Sequence, residues 1–206
     1  MYERIKLTEK EMCNYYIKEQ KVLAYGQEFF EDLCSCMMCS DRYIFVNNRV
    51  LPLSCYNELI ECVQAIEQGS DEYIVGGFMF SGVKQSYIRI GIDTRDEELS
   101  EEMKKTIRHE IIHYYLWVLD YGHNDDDLDF WCMCYAYDGG AYEVLSEENM
   151  IFYNIFVSVF DDYVKDLQWN KWHLALQIMI SGLHEYSKEE YQDKIVAEIE
   201  SVKARP

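Results

Sequence analysis

Residues 103–123 read MKKTIRHEIIHYYLWVLDYGH, and this stretch contains the strongest structural signal in the chain. Its apolar side chains recur three or four positions apart, as one face of an α-helix requires. These positions are Met103, Ile107, Ile111, Tyr114 and Val118. The pattern predicts a helix packed against a core, with Gly122 as its C-terminal cap, because glycine readily adopts the left-handed conformation in which many helices end.

The predicted helix contains the pattern H-E-x-x-H, formed by His109, Glu110 and His113. Residues four apart lie on one face of a helix, so both imidazoles can reach a single Zn²⁺ ion. Zinc activates a water molecule and polarises a carbonyl, and a nearby carboxylate can take the water's proton and return it to a leaving amine. The pattern therefore predicts a zinc site with Glu110 as the general base. The competing interpretation is two surface histidines beside a glutamate.

A catalytic zinc ion usually has three protein ligands, so a third is needed. His123 ranks first, because the chain can turn after the predicted helix end and bring this imidazole back to the ion. The acidic stretch that follows ranks second, with Asp125, Asp126, Asp127 and Asp129. Glu143 ranks third, as a carboxylate from a downstream helix. His173 and His184 lie in a later amphipathic region, and we interpret them as structural or surface residues.

Helical periodicity also appears before the motif. Thr8 and Glu11 have the spacing of a capping box, and they open a predicted helix that extends to Leu33 with a break near Gly26. A second amphipathic helix is predicted over residues 56–66, where apolar side chains recur at helical spacing. Both helices precede the region where the period of the sequence changes.

The fold class follows from the remaining pattern. Three β-branched or aromatic runs, at residues 73–75, 78–80 and 87–92, predict a small antiparallel sheet. Helical spacing returns after the acidic residues 125–129 and continues to the C-terminus, where Ser187 opens the last helix. We therefore expect a mainly helical α+β fold, with the sheet beside the zinc-bearing helix and a C-terminal helical region.

Composition narrows the choice of partners and location. The 206 residues include 19 Lys and Arg against 38 Asp and Glu, a net charge of −19, which disfavours nucleic acid as a partner. No apolar stretch approaches the roughly 20 residues of a membrane span, and no signal peptide is recognisable, so we expect a cytoplasmic protein without a membrane partner. The eight cysteines are expected to be reduced, and Cys34, Cys36 and Cys39 to be packing residues, because a structural zinc site needs a second cysteine pair.

The combination of a strand pair, the helix with His109-Glu110-Ile111-Ile112-His113 and the later Gly122-His123 resembles the SprT-like zinc metallopeptidase family. The resemblance covers roughly residues 45–140. It implies His109, His113 and His123 as zinc ligands, Glu110 as the general base, and a hydrolase that cuts protein or peptide substrates. We expect the metallopeptidase domain over residues 1–145. The tail at residues 146–206 is too apolar for a disordered extension, so we expect a helical extension packed on that domain, with a second helical lobe as the alternative.

The chain departs from that family in two respects. Asn124 and three aspartates follow His123, where relatives have glycine and soon an aromatic residue, and no paired C-x-x-C units follow the motif. The metzincin subclass is excluded, because leucine stands at positions 116 and 119 instead of glycine and histidine. Two alternatives to the metalloprotease remain open: a zinc-containing binding or scaffold protein that does not cut, and a glutamate-zincin-like peptidase that uses Glu143.

Overall fold

The structure is a computed structural model that is mainly helical. It describes residues 7–36, 43–46, 49–52, 60–64, 76–80, 86–95, 97–141 and 143–205. Within these ranges, no helix combines the length and the apolar character needed to cross a membrane. The strand predicted at residues 73–75 lies outside the described residues, as do the side chains of Cys34, Cys36 and Cys39.

The elements follow one another in the order expected of an α+β chain. They are α1 (Glu9–Cys36), β1 (Tyr43–Val46), β2 (Arg49–Pro52), β3 (Ile60–Gln64), β4 (Gly76–Phe80), β5 (Ser86–Ile92), α2 (Glu101–Leu119), α3 (Leu128–Tyr137), α4 (Glu147–Val159), α5 (Trp169–Glu185) and α6 (Lys188–Lys203). One π-helical turn, Phe160–Val164, directly continues α4. The motif helix is α2.

The chain divides into two compact units, and one of the points at which it passes from one to the other, between Ile111 and Ile112, falls inside helix α2. The first unit comprises Met1–Glu31 and Ser40–Ile111, and the second comprises Asp32–Cys39 and Ile112–Pro206. The domain boundary predicted near residue 145 stays a prediction.

In the first unit, α1 begins with the predicted capping box. The backbone N–H of Thr8 donates to Glu11 Oε2 at 2.7 Å, and the N–H of Glu11 donates to Thr8 Oγ1 at 3.3 Å. These bonds satisfy two of the donors that a helix N-terminus leaves unpaired. The helix continues through Gly26 without the predicted break.

The strands of the first unit form two small sheets. β1 pairs with β2 in an antiparallel ribbon, and the other sheet has the order β3-β5-β4. β4 runs antiparallel to β5, whereas β3 runs parallel to it. The prediction of a small antiparallel sheet is therefore not confirmed as stated, because the three-stranded sheet is mixed.

The amphipathic helix predicted over residues 56–66 is wrong for Ile60–Gln64, which is strand β3. In the parallel pairing, Ile60 stands opposite Ile88 and Gln64 opposite Ile92. A short apolar run fits either a helix or a strand, and pairing with a buried neighbouring strand decides between them. The rest of the predicted helix lies outside the described residues.

The second unit is helical after α2, as the periodicity predicts. Its core contains fully or almost fully buried side chains from α4, α5 and α6, including Phe156, Met179 and Ile199. Close packing joins α5 to α6, since a Cβ added at Gly182 would collide with Ile195 Cδ1. The hydroxyl of Tyr191 donates to the backbone oxygen of Met179 at 2.9 Å, which ties the same two helices together.

His173 lies in this helical core with 5% of its surface exposed. Its Nδ1 is 3.3 Å from the hydroxyl oxygen of Tyr137. Burial lowers the pKa of this imidazole from 6.5 to about 4, because the charged form loses its hydration. The interpretation of His173 as a structural residue agrees with this environment.

We expect His173 to make the protein less stable in mild acid. Below its ordinary pKa near 6.5 the unfolded histidine binds a proton, whereas the folded one stays neutral down to about 4, so stability falls as pH falls through that window. Between pH 7 and 4.5 the wild type should lose about 2 kcal/mol more unfolding free energy than His173→Gln, measured by urea titration. Parallel pH profiles for the two proteins would contradict this.

Candidate metal centre

The polar residues of the motif lie inside the packed part of α2. His109, Glu110 and His113 are 6%, 5% and 7% exposed, and the intervening Ile111 and Ile112 are fully buried. Ionisable side chains are rarely buried to this extent unless they are paired or bind a metal. The competing interpretation of two surface histidines is therefore wrong.

Helix α2 ends at Leu119, three residues before the predicted cap at Gly122. Asp120 adopts the left-handed conformation, with φ of 64°. The N–H of Tyr121 donates to Leu116 O at 3.0 Å, and that of Asp120 donates to Trp117 O at 3.2 Å, which is the bonding of a Schellman motif. Asp120 caps the helix because aspartate tolerates the left-handed region better than most residues.

The ring of His113 has a fixed orientation. Its Nδ1 is hydrogen-bonded to the backbone oxygen of His123, and a carbonyl can only accept, so the proton is assigned to Nδ1 and Nε2 carries the lone pair. Phe130 stacks on the imidazole, with ring centres 3.8 Å apart and planes 8° apart. Metal-binding histidines typically donate their other ring N–H to a carbonyl or carboxylate in this way.

The lone pair of His113 faces a carboxylate. Nε2 lies 3.4 Å from Asp125 Oδ1. His109, His113 and Asp125 each offer a ligand atom, and these three atoms lie within 4.8 Å of one another. Ligand atoms at zinc distances of about 2.0–2.1 Å in a tetrahedral site are about 3.4 Å apart, which matches the 3.4 Å between His113 Nε2 and Asp125 Oδ1. This group could hold a metal ion.

The position of Asp125 is fixed by its neighbours in the chain. Its backbone oxygen accepts a 2.7 Å hydrogen bond from Trp131 Nε1. On its other side, the backbone N–H and the side-chain amide of Asn124 both donate to Asp127 Oδ2 at 2.8 Å. These bonds hold the loop backbone at Asp125 in place before any ion binds, which reduces the entropy lost on binding.

His123, ranked first as the third ligand, is not in this group. Its ring Nδ1 faces the backbone oxygen of Tyr121 at 3.0 Å, and the part of His123 that reaches His113 is its carbonyl. Asp126 and Glu143 are exposed. Among the predicted alternatives, the structure brings Asp125 to the two histidines, and the sequence signal for it was the acidic run that ranked second.

Asp129 belongs to the same acidic run but has a different environment. The residue is 4% exposed, and its carboxylate accepts hydrogen bonds from Gly122 N–H at 3.0 Å and from His184 Nε2 at 2.8 Å. Burial raises the pKa of this carboxyl, while His184 and the Gly122 N–H act in the opposite direction. The sequence did not predict the contact between His184 and Asp129, because residues 55 positions apart give no local signal.

No protein-family model, no curated protein and no solved structure matches the chain. The similarity to SprT-like metallopeptidases therefore stays a prediction from the motif. The residues themselves define the candidate site: two buried histidines and an aspartate within reach of one cation, with a buried glutamate next to the first histidine in the helix.

Proposed function

We propose that the chain is a zinc-dependent metallopeptidase in which His109, His113 and Asp125 hold the ion and Glu110 is the general base. One observation carries the proposal. His113 donates its Nδ1 proton to a backbone carbonyl and directs Nε2 at the Asp125 carboxylate, 3.4 Å away. Two electron-pair donors facing each other at this distance are stabilised by a cation between them.

The ligand chemistry favours zinc over the alkaline-earth ions. Calcium and magnesium prefer sites made of oxygen atoms, whereas two imidazoles and one carboxylate with an open position are typical of catalytic zinc. The same three ligands also suit iron(II) in oxygenases. Glu110 favours the hydrolytic alternative, because a buried carboxylate that directly follows the first histidine in the helix has a use in proton transfer from water.

The proposed reaction assigns one role to each described group. Zinc held by the three ligands would supply a Lewis acid for the peptide carbonyl and an activated water. Glu110 takes the proton of the attacking water and delivers it to the amine nitrogen as the peptide C–N bond breaks. The His123 carbonyl and the Phe130 ring keep the imidazole of His113 in the orientation that binding requires. We propose proteins or peptides as substrates, on the strength of the SprT-like resemblance.

The first experiment is metal content followed by reconstitution. We expect protein purified without added metal or chelator to contain about one zinc per chain. Removal by a chelator should abolish hydrolysis of a fluorescently labelled unfolded protein, and one equivalent of zinc should restore it.

Three other outcomes would overturn the proposal. Stoichiometric zinc without hydrolysis of any unfolded protein would favour the non-cutting binding or scaffold protein. Restoration by iron(II) but not by zinc would assign the site to iron chemistry. A protein that binds no zinc even after reconstitution would leave the motif without a metal.

A further inference from the structure

We propose that Asp129 and His184 are positioning residues of this metal centre, acting on the loop between α2 and α3 rather than on the ion. The inference rests on the proposed function, because it concerns the same site. Through His184, helix α5 in the C-terminal part of the chain then helps to determine metal affinity. Neither residue is in the group of ligand atoms described above.

Asp129 ties the start of the loop to helix α3. Its Oδ2 accepts the N–H of Gly122, and a Cβ added at Gly122 would lie 2.9 Å from that same oxygen. Only glycine therefore permits this approach without displacement of the carboxylate. This contact gives Gly122 a function other than the helix cap predicted from the sequence.

The anchored glycine immediately precedes the residue that orients a ligand. His123 follows Gly122, and its carbonyl accepts the Nδ1 proton of His113. Phe130, the residue after Asp129, stacks on the same imidazole. A displacement of Asp129 would thus change both contacts that hold the ring of His113. Mutations that disturb the groups holding a metal ligand commonly lower metal affinity by 10–100-fold.

His184 holds the other oxygen of Asp129. Its Nε2 donates to Oδ1 at 2.8 Å, and its ring stacks on Tyr121, with centres 5.3 Å apart. A carboxylate as buried as Asp129 needs hydrogen-bond partners to offset its lost hydration, and here one partner is the loop backbone and the other is His184. The side chain of His184 is 49% exposed, so its replacement is compatible with folding.

The test measures zinc affinity by competition with a chromophoric chelator, together with the visible absorption of the cobalt(II)-loaded protein and the thermal midpoint. We expect Asp129→Ala and His184→Ala to weaken zinc binding about 10–100-fold and to alter the cobalt spectrum. Asp129→Asn should recover most of the affinity, because its amide oxygen can still accept the Gly122 N–H.

His173→Ala is the matched control, because it removes another histidine of α5 that is more deeply buried and does not belong to the loop contacts. It should lower the thermal midpoint while leaving zinc affinity and the cobalt spectrum unchanged. If Asp129→Ala fails to fold, the exposed His184→Ala decides the question.

Unchanged affinity in His184→Ala, with or without a lower midpoint, would overturn the positioning role and leave the proposed function intact. A wild type that binds zinc but cuts nothing would overturn the peptidase and leave the affinity comparison valid. A wild type that binds no zinc would overturn both proposals.

Discussion

Glu110→Gln should lose peptide hydrolysis by about a hundred- to ten-thousandfold in kcat while still binding one zinc per chain. Glutamine keeps the shape and most of the polarity of the side chain but cannot accept the proton of the attacking water. Because Glu110 is 5% exposed, bulk water has little access to replace it as the base. The measurement is the hydrolysis rate of an unfolded protein at saturating zinc, with metal content determined on the same sample.

Glu102→Gln provides the control for that experiment. Glu102 lies in the first turn of the same helix, its side chain is exposed, and the substitution changes the net charge by the same amount. We expect its activity to equal that of the wild type. Full activity in Glu110→Gln would rule out the proposed base, and loss of zinc in that variant would show that the side chain supports the ion instead.

Asp125→Ala should weaken zinc binding by more than about a hundredfold, because removal of a ligand costs more than removal of a residue that only orients one. His123→Ala should retain wild-type affinity within about tenfold, since alanine keeps the backbone carbonyl that His113 uses. This contrast reverses the order in which the sequence ranked the two residues. Zinc competition with a chromophoric chelator measures both variants on one scale.

Asp126→Ala is the matched control for the ligand test. Asp126 is the next residue, is exposed, and carries the same charge, so its removal reproduces the electrostatic change without removing a ligand atom. We expect a small effect on affinity. The opposite pattern, with zinc lost in His123→Ala and retained in Asp125→Ala, would support the third ligand that the SprT-like resemblance implies.

Local patterns predicted the helices well. The capping box at Thr8, the apolar spacing of α2 and the helix opened by Ser187 all depend on residues within a few positions of one another. Patterns failed where distant partners decide the structure. Residues 60–64 have an apolar run that suits a helix, but pairing with β5 makes them a strand.

The C-terminal end of α2 is a second feature that the local sequence did not predict correctly. Glycine is the usual residue in the left-handed position, so the sequence pointed to Gly122, yet Asp120 occupies that conformation. What requires Gly122 is instead the close approach of the Asp129 carboxylate from seven residues further along the chain. The frequency of glycine at helix ends therefore drew attention to Gly122, but it predicted a helix cap where the structure shows a close contact with a carboxylate.

The candidate metal site also has a part that the sequence predicts and a part that requires the tertiary structure. By itself the sequence determined that His109 and His113 share a helix face next to Glu110, because four residues make about one helical turn and this spacing holds wherever the helix packs. Only the tertiary structure brings a ligand atom of Asp125 within 4.8 Å of theirs, while His123 meets His113 through its carbonyl. The loop receives a hydrogen bond from Trp131 and donates one to Asp129, which His184 in turn holds. These three residues lie outside the loop, and no local spacing encodes contacts of that kind.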